Sequence, residues 1–162
     1  MLLLLPETTP FSADILHQCV DLIEEYWNET PVYKHIPFSR KDTEQFIINM
    51  MEGEEELVVG QMEEGRMVGA LLATSSSTFF NAKAIVIENI LTYVSKKARG
   101  KLYGKKLIKM QNKWGEWLGA VHSHISTISA VDSDRTTRLY ALLGYDIVGS
   151  TASMPLRGGS HE

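Results

Sequence analysis

Residues 84–118 read AIVIENILTYVSKKARGKLYGKKLIKMQNKWGEWL, and the stretch changes character twice. Ala84 to Val94 is a nearly continuous apolar run, as expected of a central strand covered on both faces. A glycine-bearing turn follows. From about Leu102 to Leu118 the pattern is helical, with Tyr103, Leu107, Met110, Trp114 and Trp117 or Leu118 as the buried stripe and Lys105, Lys109 and Lys113 on the opposite side. Strand, glycine turn, basic helix start is the order that builds a phosphate cradle, because unpaired N–H groups and the helix dipole both favour an anion there. Lys96 to Lys113 holds eight Lys or Arg and no acid, in a chain with 16 basic and 20 acidic residues. A cationic island in an otherwise acidic protein points to an anionic partner held at one place.

Outward from this stretch, Leu2 to Leu5 read as a strand ended by Pro6. Ser12 caps a helix to about Trp27, with Ile15, Leu16, Cys19, Leu22, Ile23 and Tyr26 at helical spacing. A second helix runs from Ser39 or Arg40 to about Met51, with Phe46, Ile47 and Met50 apolar. Leu57 to Met62 and Met67 to Thr74 form a hairpin around a glycine turn, and residues 75–82 read as a polar loop. His122 to Val131 is expected as a strand, Asp134 to Leu143 as a helix stopped by Gly144, and Tyr145 to about Leu156 as a last strand. Alternation along 84–94 puts Glu88, Ile90, Thr92 and Val94 on one face and Asn89, Leu91 and Tyr93 on the other. The whole is an α/β chain with a mixed sheet and helices on both faces.

With 162 residues, 44% hydrophobic and 22% charged, the chain has the balance of one globular domain, placed at residues 1–157 with a disordered tail at 158–162. A net charge of −4 speaks against a general nucleic-acid binder. The single Cys19 excludes an internal disulfide and suits a reducing, cytoplasmic setting, where it is read as a buried inert thiol. MLLLLP lacks the basic region of a signal peptide and the length of a membrane span. His122 and His124 share one face of a strand but have no third ligand at metal spacing.

The segment VSKKARGKLYGKKLI resembles the acetyl-coenzyme A loop of the GCN5-related N-acetyltransferase (GNAT) family: a strand ending in Val, a short linker, then Arg or Gln, two residues, Gly, one residue, Gly or Ala. Arg99 and Gly104 stand at the first and last of these positions, Gly100 follows the Arg, and Leu102 replaces the middle glycine. RLYALLGY is similar to a second family signature through Leu139, Tyr140, Gly144 and Tyr145. The resemblance implies a GNAT-like acyl-CoA N-acyltransferase fold. It also implies an enzyme that binds acetyl-CoA and transfers its acetyl group to a primary amine, small molecule or protein, by direct attack in a ternary complex.

In that reading the N–H groups of Arg99, Gly100, Lys101, Leu102, Tyr103 and Gly104 hold the pyrophosphate, with Lys96, Lys97, Arg99, Lys101 and Lys105 adding charge toward it or the 3′-phosphate. The strand end Leu91, Thr92, Tyr93 and Val94 meets the pantetheine amides and the acetyl carbonyl, with an N–H near Tyr93 or Val94 as oxyanion donor. Ser133 takes the place of a family Asn that faces the pantetheine arm. Tyr140 matches the tyrosine that protonates the departing thiolate. Glu88, six residues before Val94, sits where several family members carry their general base. It reads equally as a strand-edge acid paired with a lysine. The acceptor site falls to residues 28–37, residues 75–82 and the last strand. Tyr26, Trp27, Tyr33, His35, Phe38, Phe79 and Phe80 are the aromatics available there, and Glu24, Glu25, Glu29 and Glu54 to Glu56 the acids for a cationic acceptor, the Glu54–Glu56 run reading rather as ordinary surface acids. Two alternatives stand beside the enzyme: a non-catalytic acyl-CoA-binding regulatory module, and a nucleic-acid or protein-binding module using residues 96–113. A homodimer would pair through the hairpin edge or the last strand.

Overall fold

The computed structural model describes residues 1–5, 12–127 and 131–149, with 152 and 154. Strand β1 (Leu2–Leu5) leads to helices α1 (Ala13–Glu29) and α2 (Arg40–Glu52), separated by a short turn of 3-10 helix at Pro31–Tyr33. Strands β2 (Glu56–Glu63), β3 (Arg66–Thr78) and β4 (Asn81–Val94) follow in a meander. Helix α3 (Tyr103–Leu118), strand β5 (His122–His124) and helix α4 (Ser133–Leu142) complete the described elements. The sheet order is β1-β2-β3-β4-β5, antiparallel except for the parallel β4–β5 pair.

The local start signals act as their chemistry requires. Ser12 Oγ accepts from the Ile15 N–H at 3.2 Å and Ser39 Oγ from the Asp42 N–H at 3.3 Å, each satisfying an orphan donor of a first helical turn. One core layer lies between the sheet and α1 and α2, built from Leu16, Val20, Ile47, Met50, Val58, Leu72 and Leu91 among others. The other lies beneath α3, where Leu107 meets Val59, Leu71 and Ile87. The helices therefore cover both faces, as the sequence predicts. Among the described residues no helix is long and apolar enough to cross a membrane.

Several expectations are corrected. The polar stretch 75–82 is not a loop: β3 and β4 extend through it as a hairpin, pairing Ser75 with Ile87, Ser76 with Val86 and Ser77 with Ile85. Backbone pairing needs no apolar side chain, and Thr78 Oγ1 closes the turn by bonding both the N–H and the carbonyl of Asn81. The strand expected to reach Val131 ends at His124. Residues 145–149 of the expected last strand pair with no strand among the described residues; most of its remainder, and the tail 158–162, lies outside the described residues. Of Trp117 or Leu118 it is Leu118 that packs against the core, Trp117 being 77% exposed; apolar Phe46 is also exposed, and Met51, Ile108, Gln111 and Gly115 take further inward positions.

The alternation of β4 is also corrected. Leu72 pairs with Leu91 but Ala73 with Asn89, so Ile90 is an extra residue in the ladder. The bulge reverses the faces beyond it. Ile87 and Val94 both reach the core under α3, while Leu91 and Tyr93 face α1 and α2. Asn89 and Thr92, expected on opposite faces, are hydrogen-bonded to each other at 2.9 Å. Glu88 shares its face with Leu91 and Tyr93, not with Thr92 and Val94.

Candidate acyl-transfer site

The bulge at Ile90 is where β4 stops being part of a closed sheet. β5 pairs with β4 only from Val86 to Glu88. Past that point the strands part, and a cleft of about 420 Å³ opens between Asn89–Val94 on one side and Ser126 and Thr127 on the other. The turn after β4, the start of α3 and one face of α4 close its remaining walls. Buried Gln111 of α3 spans the fork. Its Oε1 accepts from Asn89 Nδ2 at 2.6 Å, and its Nε2 donates to Ser123 Oγ at 3.0 Å and to the His124 carbonyl at 3.3 Å.

At one end of the cleft the backbone N–H groups of residues 100 to 105 find no acceptor among the described residues; the first α3 bond runs from Lys106 N–H to the Leu102 carbonyl. This is a series of orphan donors at the positive end of a sixteen-residue helix. Gly100 adopts φ +93, where a side chain would be strained. Leu102 is itself left-handed at φ 61, ψ 16, and its side chain is 66% exposed. The position asks for glycine, and leucine is held there at a conformational cost.

The turn is anchored to α1. Glu25 Oε1 accepts from Tyr93 Oη at 3.2 Å, Ser95 Oγ at 2.9 Å and the Lys96 N–H at 3.1 Å. Glu29 pairs with Arg99, whose Nε also donates to the Val94 carbonyl at 3.1 Å. Lys101 Nζ lies 2.5 Å from Glu63, which also accepts from Tyr103 Oη at 2.9 Å. The hydrogen bonds from Lys101 and Tyr103 hold the Glu63 carboxyl below the usual carboxylate range. Arg99 and Lys101 thus hold the turn in shape, and their charge is partly spent on acids of the chain. Glu24 pairs with Arg40. Glu24, Glu25 and Glu29, expected to meet a cationic acceptor, are all engaged within the fold, and of the expected aromatics only Tyr26 lines the cleft.

Leu91, Thr92, Tyr93, Val94, Arg99, Gly100, Leu102, Tyr103, Gly104, Lys105 and Tyr140 all line the cleft. Lys97 is exposed on the turn outside it, and Ser133 lines a second, adjacent opening. The sequence reading missed Arg135 and Arg138, successive cations on α4 that line the cleft. Their i, i+3 spacing was visible, but nothing in the sequence aimed that helix face at the turn.

Tyr140 lines both openings, and its hydroxyl donates to the Ser126 carbonyl at 3.2 Å. Burial pushes its pKa well above the usual phenol range, with Tyr145 and Tyr26 adding to the effect, so the phenol stays protonated. Glu88 meets a histidine and not a lysine: its Oε1 lies 2.6 Å from His124 Nδ1.

No protein-family model and no curated protein sequence matches the chain. Solved structures do. An aminoglycoside acetyltransferase from an uncultured soil metagenomic sample superposes with a TM-score of 0.68 at 18% identity, over 96% of this chain and 99% of that one. This chain has the GNAT fold. The same likeness extends to AAC(6′)-Iy in complex with the bisubstrate analogue CoA-S-monomethyl-acetylneamine, with a TM-score of 0.70, 14% identity and 98% of both chains covered. It extends also to glucosamine-6-phosphate N-acetyltransferase from Arabidopsis thaliana, with a TM-score of 0.70, 12% identity and 96% and 98% coverage. In the GNAT fold of this chain, the cleft between the parted strands is the concave feature that gathers the glycine turn and Tyr140.

Proposed function

We propose that this protein is an acetyl-CoA-dependent N-acetyltransferase that acylates a primary amine by direct attack in a ternary complex. The observation that carries the reading is the run of unpaired N–H groups at residues 100 to 105, opening into a cleft walled by a protonated tyrosine. The residues fit the cofactor. A pyrophosphate matches donors in series at a helix start, and Lys105, Arg135 and Arg138 bring cationic side chains to the same cleft. The parted edge of β4 offers Leu91 to Val94 backbone groups to an amide-bearing arm, because among the described residues no strand pairs with that edge beyond Glu88. The solved neighbours add support, one of them holding a CoA-containing bisubstrate analogue.

Bound acetyl-CoA supplies the activated acyl group as a thioester. The chain supplies the rest. Main-chain donors of the turn would hold the phosphates, and an N–H near Tyr93 or Val94 would serve as donor to the acyl oxygen. Tyr140 holds a proton at Oη for the departing sulfur, and the basic group of the site is built around Glu88. Ser133 lines the second opening rather than this cleft.

Calorimetric titration with acetyl-CoA, and with coenzyme A lacking the 3′-phosphate, tests the cradle. Micromolar binding is expected, weaker without that phosphate. Millimolar cofactor that does not bind would reject the reading. A panel of aminoglycosides, amino sugars, polyamines and peptide N-termini then tests transfer; tight binding with no acetylation of any amine would leave the non-catalytic module.

A further inference from the structure

The histidines of β5 take no part in the chemistry above, and they stand beside it. β4 and β5 pair at Val86 with His122, Ile87 with Ser123 and Glu88 with His124. Ser123 turns toward α3, where its hydroxyl meets Gln111 and Asn112. Alternation therefore sends His122, His124 and Glu88 to the opposite face. There Nδ1 of His124 lies 2.6 Å from Glu88 Oε1, and the His122 ring sits edge-on to the His124 ring with centroids 5.2 Å apart. A carboxylate only accepts, so Nδ1 carries the hydrogen and Nε2, across the ring, is left with a lone pair. The two side chains are about half exposed, at 50% and 46%, so the pair is reachable from solvent. Glu88 immediately precedes Asn89, and His124 comes two residues before Ser126; Asn89 and Ser126 both line the cleft. The pair stands where the strands part.

We infer that His124 is the group that takes the proton from the acceptor amine, and that Glu88 is its positioning residue. This rests on the acyl-transfer reading. An imidazole changes protonation near neutral pH and is a stronger base than a carboxylate, which suits the deprotonation of an ammonium. In the step, one N–H bond of the ammonium breaks, its electron pair stays on nitrogen and the proton binds Nε2. The nitrogen pair then forms the new C–N bond as the C–S pair leaves with sulfur. The second proton lost by nitrogen equals the one gained by sulfur, and the proton on His124 passes to water. The imidazolium formed faces the Glu88 carboxylate, which stabilises it. Glu88 from β4 and His122 from β5 are the titratable groups set against the ring, and no other side chain among the described residues bonds it.

Nitrogen-15 NMR of the full-length protein reads the tautomer without turnover. His124 is expected as the Nδ1–H form in the neutral ring, with its Nδ1–H signal displaced by Glu88→Gln; an Nε2–H form would overturn the inference. In steady-state kinetics His124→Ala is expected to lower kcat about a hundredfold, to leave the acetyl-CoA Kd within about twofold, and to remove the acidic limb of the kcat/KM profile. Added imidazole should restore part of the rate. His124→Gln keeps a side-chain donor for Glu88 and serves if the alanine variant misfolds. Wild-type kcat and pH profile in both variants, with the limb lost only in Glu88→Gln, would assign the proton to Glu88 and overturn the inference while leaving wild-type turnover intact. A wild-type protein that binds acetyl-CoA but acetylates no amine would instead remove the acyl-transfer reading, and this inference with it.

Discussion

Leu102 and Tyr140 carry the site's two clearest tensions at the level of single residues. Leu102 sits in the left-handed region at the first turn of α3. A non-glycine residue there costs about 1–2 kcal/mol, while a glycine gives up about 0.5–1 kcal/mol of chain entropy. Leu102→Gly is therefore expected to stabilise the fold by up to about 1.5 kcal/mol in chemical denaturation, and to tighten acetyl-CoA binding in calorimetry by removing a side chain from the cleft. Weaker binding would mean that the leucine contacts the ligand productively. Tyr140→Phe removes a hydroxyl and keeps the ring. Turnover should fall about a hundredfold with cofactor affinity unchanged, and stability should fall by about 1 kcal/mol because the Ser126 carbonyl loses its donor. Unchanged turnover would remove the acid role.

Helix α3 is the element that organises the site. Its first turn supplies the free N–H groups, and its inward face holds the fork between β4 and β5 through Gln111. An amide suits this place because one acceptor and two donors are needed at once, on three different partners. Gln111→Ala leaves the Asn89 amide, the Ser123 hydroxyl and the His124 carbonyl short of a partner and opens a cavity. A loss of about 2–4 kcal/mol is expected, read as a lower denaturation midpoint. Because the same contacts set the separation of the strands, kcat should fall further than the change in folded fraction explains. A variant that lost stability but kept wild-type kcat when fully folded would show that the fork is held elsewhere.

Across the whole molecule, Cys19 reports on cooperative unfolding. It lies on the inward face of α1, and burial pushes its thiol up from 9.0 to about 12. The folded thiol stays neutral while the unfolded one ionises above its ordinary value, so its contribution is complete below pH 9 and is lost as pH rises toward 12. Between pH 9 and 10.5 the protein should lose on the order of 2 kcal/mol through this group, and Cys19→Ala should flatten that slope in denaturation curves. A slope unchanged by the substitution would place the alkaline sensitivity elsewhere. A thiol reagent should label Cys19 only at the rate of global opening.

The one-dimensional pattern was enough for elements whose logic is local. Ser12 and Ser39 announced helix starts, the apolar run at 84–94 announced a central strand, and the glycine turn announced a helix start with orphan donors, because caps, periodicity and orphan donors are properties of neighbouring residues. Tertiary structure decided what depends on residues far apart in the chain. The bulge at Ile90 exists only as a mismatch with β3, and it reversed the faces of β4. The serine-rich stretch 75–78 became strand because β4 was there to pair with it. Glu29 and Glu63 engaged Arg99 and Lys101 in ion pairs within the fold, whereas Arg135 and Arg138 were brought to the cleft. Glu88 and His124, thirty-six residues apart, met only because β4 and β5 run parallel in register. Hydrogen-bond partners across a sheet are set by register and burial, and neither is written in local spacing.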